Sequence, residues 1–200
     1  MSDLFDKKAE EWDSNEIIKI LSSAVGSSII KNIPLHNQMN IMDFGAGTGL
    51  ISSQIAPLVK KITAVDISEA MLKQLVSKSE LNSKVEMLCQ NIIDIPINKK
   101  FDLIISVMAI HHVKDTNKLI QRFSESLNSG ALIALADLDK EDGTFHPQNT
   151  KGIFHLGFKR DEFKNILQKQ GFINISFSTA HTVKKEGKEF PIFLVSAIKS

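Results

Sequence analysis

Short apolar runs alternate along this chain with segments whose apolar positions recur every third or fourth residue. The runs at 41–44, 61–65, 85–89, 101–106 and 131–136 read as strands, and the one at 101–106 is continuous enough to be buried on both faces. Between them lie helical patterns. Residues 16–31 place Ile17, Ile18, Leu21, Ala24, Val25 and Ile29 on one stripe, with Asn15 as N-cap and Pro34 as stop. Residues 50–55 form a short helix that ends near Pro57. Residues 68–78, capped by Ser68, group Met71, Leu72, Leu75 and Val76 on one face. A helix after Asp115 turns Leu119, Ile120, Phe123 and Leu127 towards the sheet, and Asn128-Ser129-Gly130 closes it. A last helix, 159–170, runs through Phe163, Ile166 and Leu167 to Gly171. Two further strands, 172–178 and 190–198, flank a turn around Gly187. Strands alternating with helices predict a parallel sheet with right-handed crossovers.

The junction of the first strand with its helix carries the candidate chemistry. It reads Met42-Asp43-Phe44-Gly45-Ala46-Gly47-Thr48-Gly49-Leu50. Glycines at alternate positions strip side chains from a strand-to-helix turn, so a ligand can lie against bare backbone. A phosphate loop would need a Lys near its end, but Leu50 follows Gly49 and the first Lys after it is Lys60. The spacing G-x-G-x-G also departs from the dinucleotide fingerprint G-x-G-x-x-G. Asp43, at the mouth of the loop, would repel a pyrophosphate and suit a cationic ligand. The second strand delivers Asp66 at its carboxyl end, where an acid can accept from both hydroxyls of a ribose. As alternatives, Asp66 could serve only the start of the next helix, and Met71 could be core or touch a base.

Asp43-Phe44-Gly45-Ala46-Gly47-Thr48-Gly49 resembles the first motif, D/E-x-G-x-G-x-G, of the class I S-adenosylmethionine-dependent methyltransferases. The resemblance implies a three-layer, Rossmann-like α/β fold with a seven-stranded, mostly parallel sheet whose last strand is antiparallel. It implies S-adenosylmethionine as cofactor, bound by Asp43, Gly45, Ala46, Gly47, Thr48, Gly49, Asp66, Ile67, Met71 and Ser106. Family members read the adenine edge with an acid where this chain has Asn91, so Asn91 and Ile92 are expected there without charge. Phe5-Asp6-Lys7-Lys8-Ala9-Glu10-Glu11-Trp12 is similar to an aromatic-D-x-x-A-x-x-aromatic arm that closes over the cofactor, which would bring Trp12 to the site. The alternative for Trp12 is packing on the surface. Val107-Met108-Ala109-Ile110-His111-His112-Val113 resembles the post-strand segment of small-molecule methyltransferases, and the N-P-P-Y motif of enzymes that methylate amino nitrogens is missing. His111 or His112 could act as general base, or one could be structural. Within the family the resemblance is broadly to quinone-type methyltransferases, and the implied acceptor is a small molecule.

Composition narrows the partners. Twenty-four basic and 23 acidic residues leave a net charge of +1, which argues against a large nucleic-acid surface. One cysteine, Cys89, rules out an intrachain disulfide framework, and no Cys/His zinc spacing occurs. The first eight residues lack the apolar core of a signal peptide, and no apolar run approaches the ~20 residues that span a bilayer. The expectation is one cytoplasmic domain: an arm and helix at 1–34, a cofactor half at 35–136, and a substrate-side loop with the rest of the sheet at 137–200.

The acidic segment 137–146 is the least generic. Its spacing is not that of a calcium loop: Gly143 is seventh from Asp137 rather than sixth, and Gln148 stands where the closing Glu belongs. His146 and His155 could face a substrate, or could bind a metal with Asp137 or Asp139, or the loop could simply be solvated; no metal is assigned. The acceptor pocket is expected between this loop, the arm and His111/His112, with His146 the third catalytic candidate. Two other functions fit the pattern: a nucleotide-cofactor oxidoreductase, and a binding or regulatory protein without turnover.

Overall fold

The computed structural model describes residue 5, residues 8–148 and residues 150–200. Asp6 and Lys7 of the arm motif, and the first four residues, lie outside the described residues. Seven strands form one sheet: β1 (Asn40–Phe44), β2 (Lys61–Asp66), β3 (Val85–Cys89), β4 (Phe101–Val107), β5 (Leu127–Leu138), β6 (Phe172–Lys185) and β7 (Lys188–Lys199). Their order is β3-β2-β1-β4-β5-β7-β6. The pairs from β3 through to β5 are parallel, and β7 runs antiparallel to both β5 and β6. The last strand is thus reversed, as expected, and it is inserted beside β5 rather than added at the edge.

Among the described residues, five helices cover the sheet: α1 (Glu16–Asn32), α2 (Leu50–Ile55), α3 (Glu69–Val76), α4 (Thr116–Glu125) and α5 (Arg160–Lys169). The starts of α1, α3 and α4 carry side-chain caps. Asn15 Oδ1 accepts from the amides of Ile17 and Ile18 at 3.0 and 3.2 Å, and Asp115 Oδ1 accepts from Lys118 N at 2.8 Å. Ser68 Oγ accepts from Met71 N at 3.2 Å.

Alternation along the strands divides the core between two faces. Ile41, Leu103, Ile105 and Ala134 pack with Val25 and Ile29 of α1, Ile55 of α2 and Leu72 of α3. Met42, Ile104, Ile133 and Leu135 pack on the other side with Leu119 and Phe123 of α4 and Phe163 and Leu167 of α5. The result is helix, sheet, helix.

The structure departs from the sequence reading in three places. Leu127 is not the end of α4: the helix stops at Glu125, and Leu127 pairs with Phe101 to begin β5, with Gly130 inside the strand. β6 continues past Ser178 to Lys185, because this edge strand has only β7 as a neighbour and tolerates polar residues such as Thr179, His181 and Thr182. The inner face of α1 is Leu21, Ser22, Val25, Gly26 and Ile29, while Ile17 is 52% exposed. No helix among the described residues is long and apolar enough to cross a membrane.

Candidate active site

Because β1 to β5 are parallel, their carboxyl ends share one edge of the sheet, where ligands of open parallel sheets bind. A cavity of about 870 Å³ opens along that edge. It runs from the ends of β2 and β3, marked by Asp66 and Asn91, past the glycine bend to His111 and His112 after β4 and His146 after β5. The volume lies in the upper part of the ~300–1,000 Å³ typical of ligand pockets.

At the glycine bend, Asp43, Gly45, Ala46, Gly47 and Thr48 all line the cavity. Gly47 adopts φ +54°, and a Cβ placed on it would meet nothing within 4 Å, so its bare face is turned to open space. Gly49 is different. It is not part of the lining, and a Cβ there would sit 2.7 Å from Leu75 Cγ, so this glycine lets α2 start against α3.

Asp43 is a correction to the sequence reading. It is not at the mouth but on the floor, 2% exposed, with Oδ2 accepting from Ser52 Oγ at 2.7 Å. Burial pushes its carboxyl up to about 7; the Ser52 hydroxyl opposes this and the Asp66 charge adds to it. Asp66 lines the cavity with both oxygens partly used: Oδ2 accepts from Gly47 N at 2.8 Å and Oδ1 from Ser68 N at 2.9 Å. The acid therefore serves the helix start, holds the bend and still faces the ligand side.

Ile67 and Met71 line the cavity, with Met71 only 1% exposed. Asn91 also lines it, but its amide is committed locally: Oδ1 accepts from Ile93 N at 3.1 Å and Nδ2 donates to Asp94 at 2.7 Å. Ile92 points instead into the core, 1% exposed, and its neighbours Gln90 and Ile93 supply the wall. Ser106 is buried one residue behind the lining, because β4 extends to Val107 and the wall begins there.

Trp12 lines the cavity, with Phe5 6.1 Å from it and 5.1 Å from His112 between ring centres. The arm is held down by Asp13, which sequence reasoning missed. Asp13 accepts from Thr48 Oγ1 of the bend and pairs with Lys78 at 2.7 Å. A lone Asp among other acids gave no signal of this.

At the other end, three imidazoles gather. Ring centres are 4.1 Å apart for His111 and His112, 5.1 Å for His111 and His146, and 6.1 Å for His112 and His146. Met108 turns the chain at φ +56°, and the short helical turn Ile110–His112 then aims its first amides at Asp137. Asp137 Oδ2 accepts from Ile110 N and His111 N at 3.0 and 3.1 Å, and Oδ1 from His111 Nδ1 and Leu138 N, both at 2.7 Å. Burial alone would raise this carboxyl, but the His111 imidazole and the Leu138 and His111 amides hold it below the usual carboxylate range. The sequence offers Asp137 as a metal ligand or a solvated loop residue; the structure makes it the partner of His111. Its place at the end of β5, facing the end of β4, was the available clue.

His112 Nδ1 donates to the Gly152 carbonyl at 2.8 Å. Burial, and then His111, lower His112 to about 4, and the same two causes lower His146 to about 4. Both stay neutral at pH 7. His155 does not face the cavity: its Nε2 lies 3.0 Å from the Val113 carbonyl and 3.1 Å from Thr116 Oγ1. Asp139 is engaged by Arg160 through two bonds of 2.8 and 2.7 Å. The metal alternative thus loses His155, Asp137 and Asp139 to other partners.

The methyltransferase domain family matches residues 42–135, which span the bend, Asp66 and both histidines of the Ile110–His112 turn. Over that stretch the chain is similar to the class I S-adenosylmethionine-dependent methyltransferases, and solved structures similar to it hold S-adenosylmethionine or S-adenosylhomocysteine. It is 29% identical over 192 residues to an uncharacterized methyltransferase of Schizosaccharomyces pombe, covering 88% of this chain and 65% of the relative. A Haloferax volcanii methyltransferase solved with its Trm112 activator superposes with TM-score 0.81 at 13% identity, over 97% of this chain and 96% of that one. Phosphoethanolamine N-methyltransferase 2 of Haemonchus contortus, solved with phosphomonomethylethanolamine and S-adenosylhomocysteine, gives 0.72 at 17% identity, over 87% of this chain and 52% of that one. The chain thus spans about two thirds of the yeast relative and about half of the nematode one. These likenesses to solved structures are likenesses of fold.

Proposed function

We propose that the protein transfers a methyl group from S-adenosylmethionine to a small-molecule acceptor. The observation that carries this reading is one continuous cavity joining the side-chain-free bend at Gly47 to the histidine cluster. The residues present fit the cofactor. Gly45, Gly47 and Thr48 would hold its amino-acid portion, Asp66 its ribose, and Met71, Gln90 and Asn91 its base, while Asp43 supplies negative charge beneath a cation. When bound, the sulfonium makes its methyl carbon electrophilic. The chain's part is to place an acceptor in line with that carbon and to exclude water. Positioning of this kind can supply roughly 7–11 kcal/mol in favourable cases. Phe5 and Trp12 of the arm, with Phe145 and Phe154 beyond β5, give the acceptor end apolar walls.

The test is calorimetric titration of the full chain with S-adenosylhomocysteine, NAD and NADP. One-to-one binding of the first, and none of the other two, is expected; binding of NAD or NADP alone would return the oxidoreductase reading. Methyl-labelled cofactor mixed with a metabolite extract should then label an extractable small molecule, and a protein that binds cofactor but labels nothing would be a non-catalytic binder.

A further inference from the structure

His111 Nε2 and His146 Nε2 are buried side-chain nitrogens with no hydrogen-bond partner among the described residues. Unpartnered buried polar atoms are uncommon in folded proteins. Here both belong to rings on the wall of one cavity, 5.1 Å apart. Their tautomers are constrained differently. The ionised Asp137 can only accept, so Nδ1 of His111 carries a proton, and in the neutral ring Nε2 is the nitrogen with the lone pair. His111 is 1% exposed, so that lone pair is met by whatever enters the cavity.

The carboxylates nearest the rings are engaged, apart from Glu141 Oε1, which is buried with no partner among the described residues, and the cavity wall carries both signs through Lys8, Glu11, Lys114 and Asp115. Asp137 is taken up by His111 and by the amides of Ile110, His111 and Leu138. Behind His146, Glu141 Oε2 accepts from the amides of Gly143, Thr144 and Phe145, and Lys185 donates to the Phe145 carbonyl. This end suits a neutral acceptor better than an ammonium or a phosphate. A thiol near pKa 8.5 ionises without much help, and a neutral amine attacks through its own lone pair. A base braced by a buried carboxylate is needed where the acceptor's proton is held tightly, as on a hydroxyl attached to a ring.

We infer that the acceptor is a hydroxyl on an apolar, ring-bearing molecule, that His111 Nε2 is its general base, and that His146 hydrogen-bonds beside it. The inference rests on the methyl-transfer reading. The oxygen forms its bond to the methyl carbon as the carbon–sulfur bond breaks, with the electron pair left on sulfur. The O–H proton passes to His111 Nε2, giving an imidazolium that Asp137 stabilises, and leaves later to solvent. The products are a methyl ether, S-adenosylhomocysteine and one proton. Asp137 touches no reacting atom and is a positioning residue.

The experiment uses the full chain saturated with S-adenosylhomocysteine, ¹⁵N-labelled at histidine, with 2-naphthol as probe. The groups that face His111 are Asp137 from β5, His112 from its own turn and His146 from the following loop, with Asp43, Asp66, Lys8, Glu11, Lys114 and Asp115 elsewhere on the cavity wall. A bare Nε2 signal at pH 7 that shifts on adding 2-naphthol is expected, even if naphthol turns over slowly. With labelled S-adenosylmethionine, transfer to 2-naphthol should exceed transfer to the matched thiol and amine. His111→Gln should lower transfer by about 100-fold or more at neutral pH. The deficit should shrink as pH rises through the naphthol's own ionisation, which a purely structural defect would not do. Asp137→Asn should move the acidic limb of the pH–rate profile, with folding checked by circular dichroism. An Nε2 signal indifferent to naphthol, a preference for thiol or amine, or a His111→Gln deficit equal at all pH overturns the inference. Failure to bind S-adenosylhomocysteine at all would strike the methyl-transfer reading instead.

Discussion

A carboxyl whose titration lies near neutral pH, beneath the glycine bend, makes Asp43 sensitive to pH in a way an ordinary aspartate is not. Its folded-state value of about 7 lies above the reference of 3.8. The native state therefore keeps a proton that the unfolded chain has lost between those two values. The stability that this group contributes is fully present below the lower value and falls by about 1.4 kcal/mol per pH unit as pH rises to the upper one. Asp43→Asn retains an acceptor for Ser52 Oγ and should flatten that slope in denaturant unfolding measured from about pH 4 to 8. Binding of S-adenosylmethionine near pH 7 should expel part of a proton from Asp43. That appears as a binding enthalpy that varies with buffer ionisation in the wild type and not in the variant. The identity of this acid was legible in the sequence; its depth was not, because a one-dimensional pattern does not say whether a residue at a strand end lies on the rim or the floor. The same limit hid the role of Asp137, which is 26 residues from the histidine it braces.

Among the elements, the arm is the one whose docking depends on few contacts. Its turn Trp12–Ser14 is tied to the glycine bend through Asp13 and Thr48, and to Lys78 beyond α3. Asp13→Ala removes both ties. It should weaken S-adenosylhomocysteine binding by about tenfold, near 1.4 kcal/mol, while leaving the melting temperature of the ligand-free protein almost unchanged, since Asp13 is partly exposed. Titration calorimetry and a thermal melt check the two halves. Most elements follow from apolar periodicity, since α3, α4 and the parallel strands carry strong patterns and α1, α3 and α4 have recognisable caps. The full length of β6 does not, because an edge strand exposed to water needs no apolar alternation, and the start of β5 was hidden behind Asn128-Ser129-Gly130, which reads as a helix stop.

On the scale of the molecule, one sheet with two covered faces leaves few sites that can be emptied without consequence. Phe193 of β7 is fully buried, with ring centres 5.7 Å from Phe163 and 5.5 Å from Phe177. Phe193→Ala should cost about 3–5 kcal/mol, a large part of the ~5–15 kcal/mol that holds a typical domain. Denaturant unfolding should show an earlier midpoint. The chain's two ends of interest are built differently. The donor side comes from strands and bends inside the stretch that matches the family, whereas the far wall comes from the loop that follows β5. The carbonyl of His111 accepts from the amides of Phe154 and His155 at 3.0 and 3.2 Å, so this loop hangs from the backbone of the histidine itself. Exchanges at Phe145 and Phe154, the cavity-facing ends of this loop, should therefore change which acceptor fits, while the hook at 154–155 keeps the wall in register and leaves the proposed methyl source undisturbed.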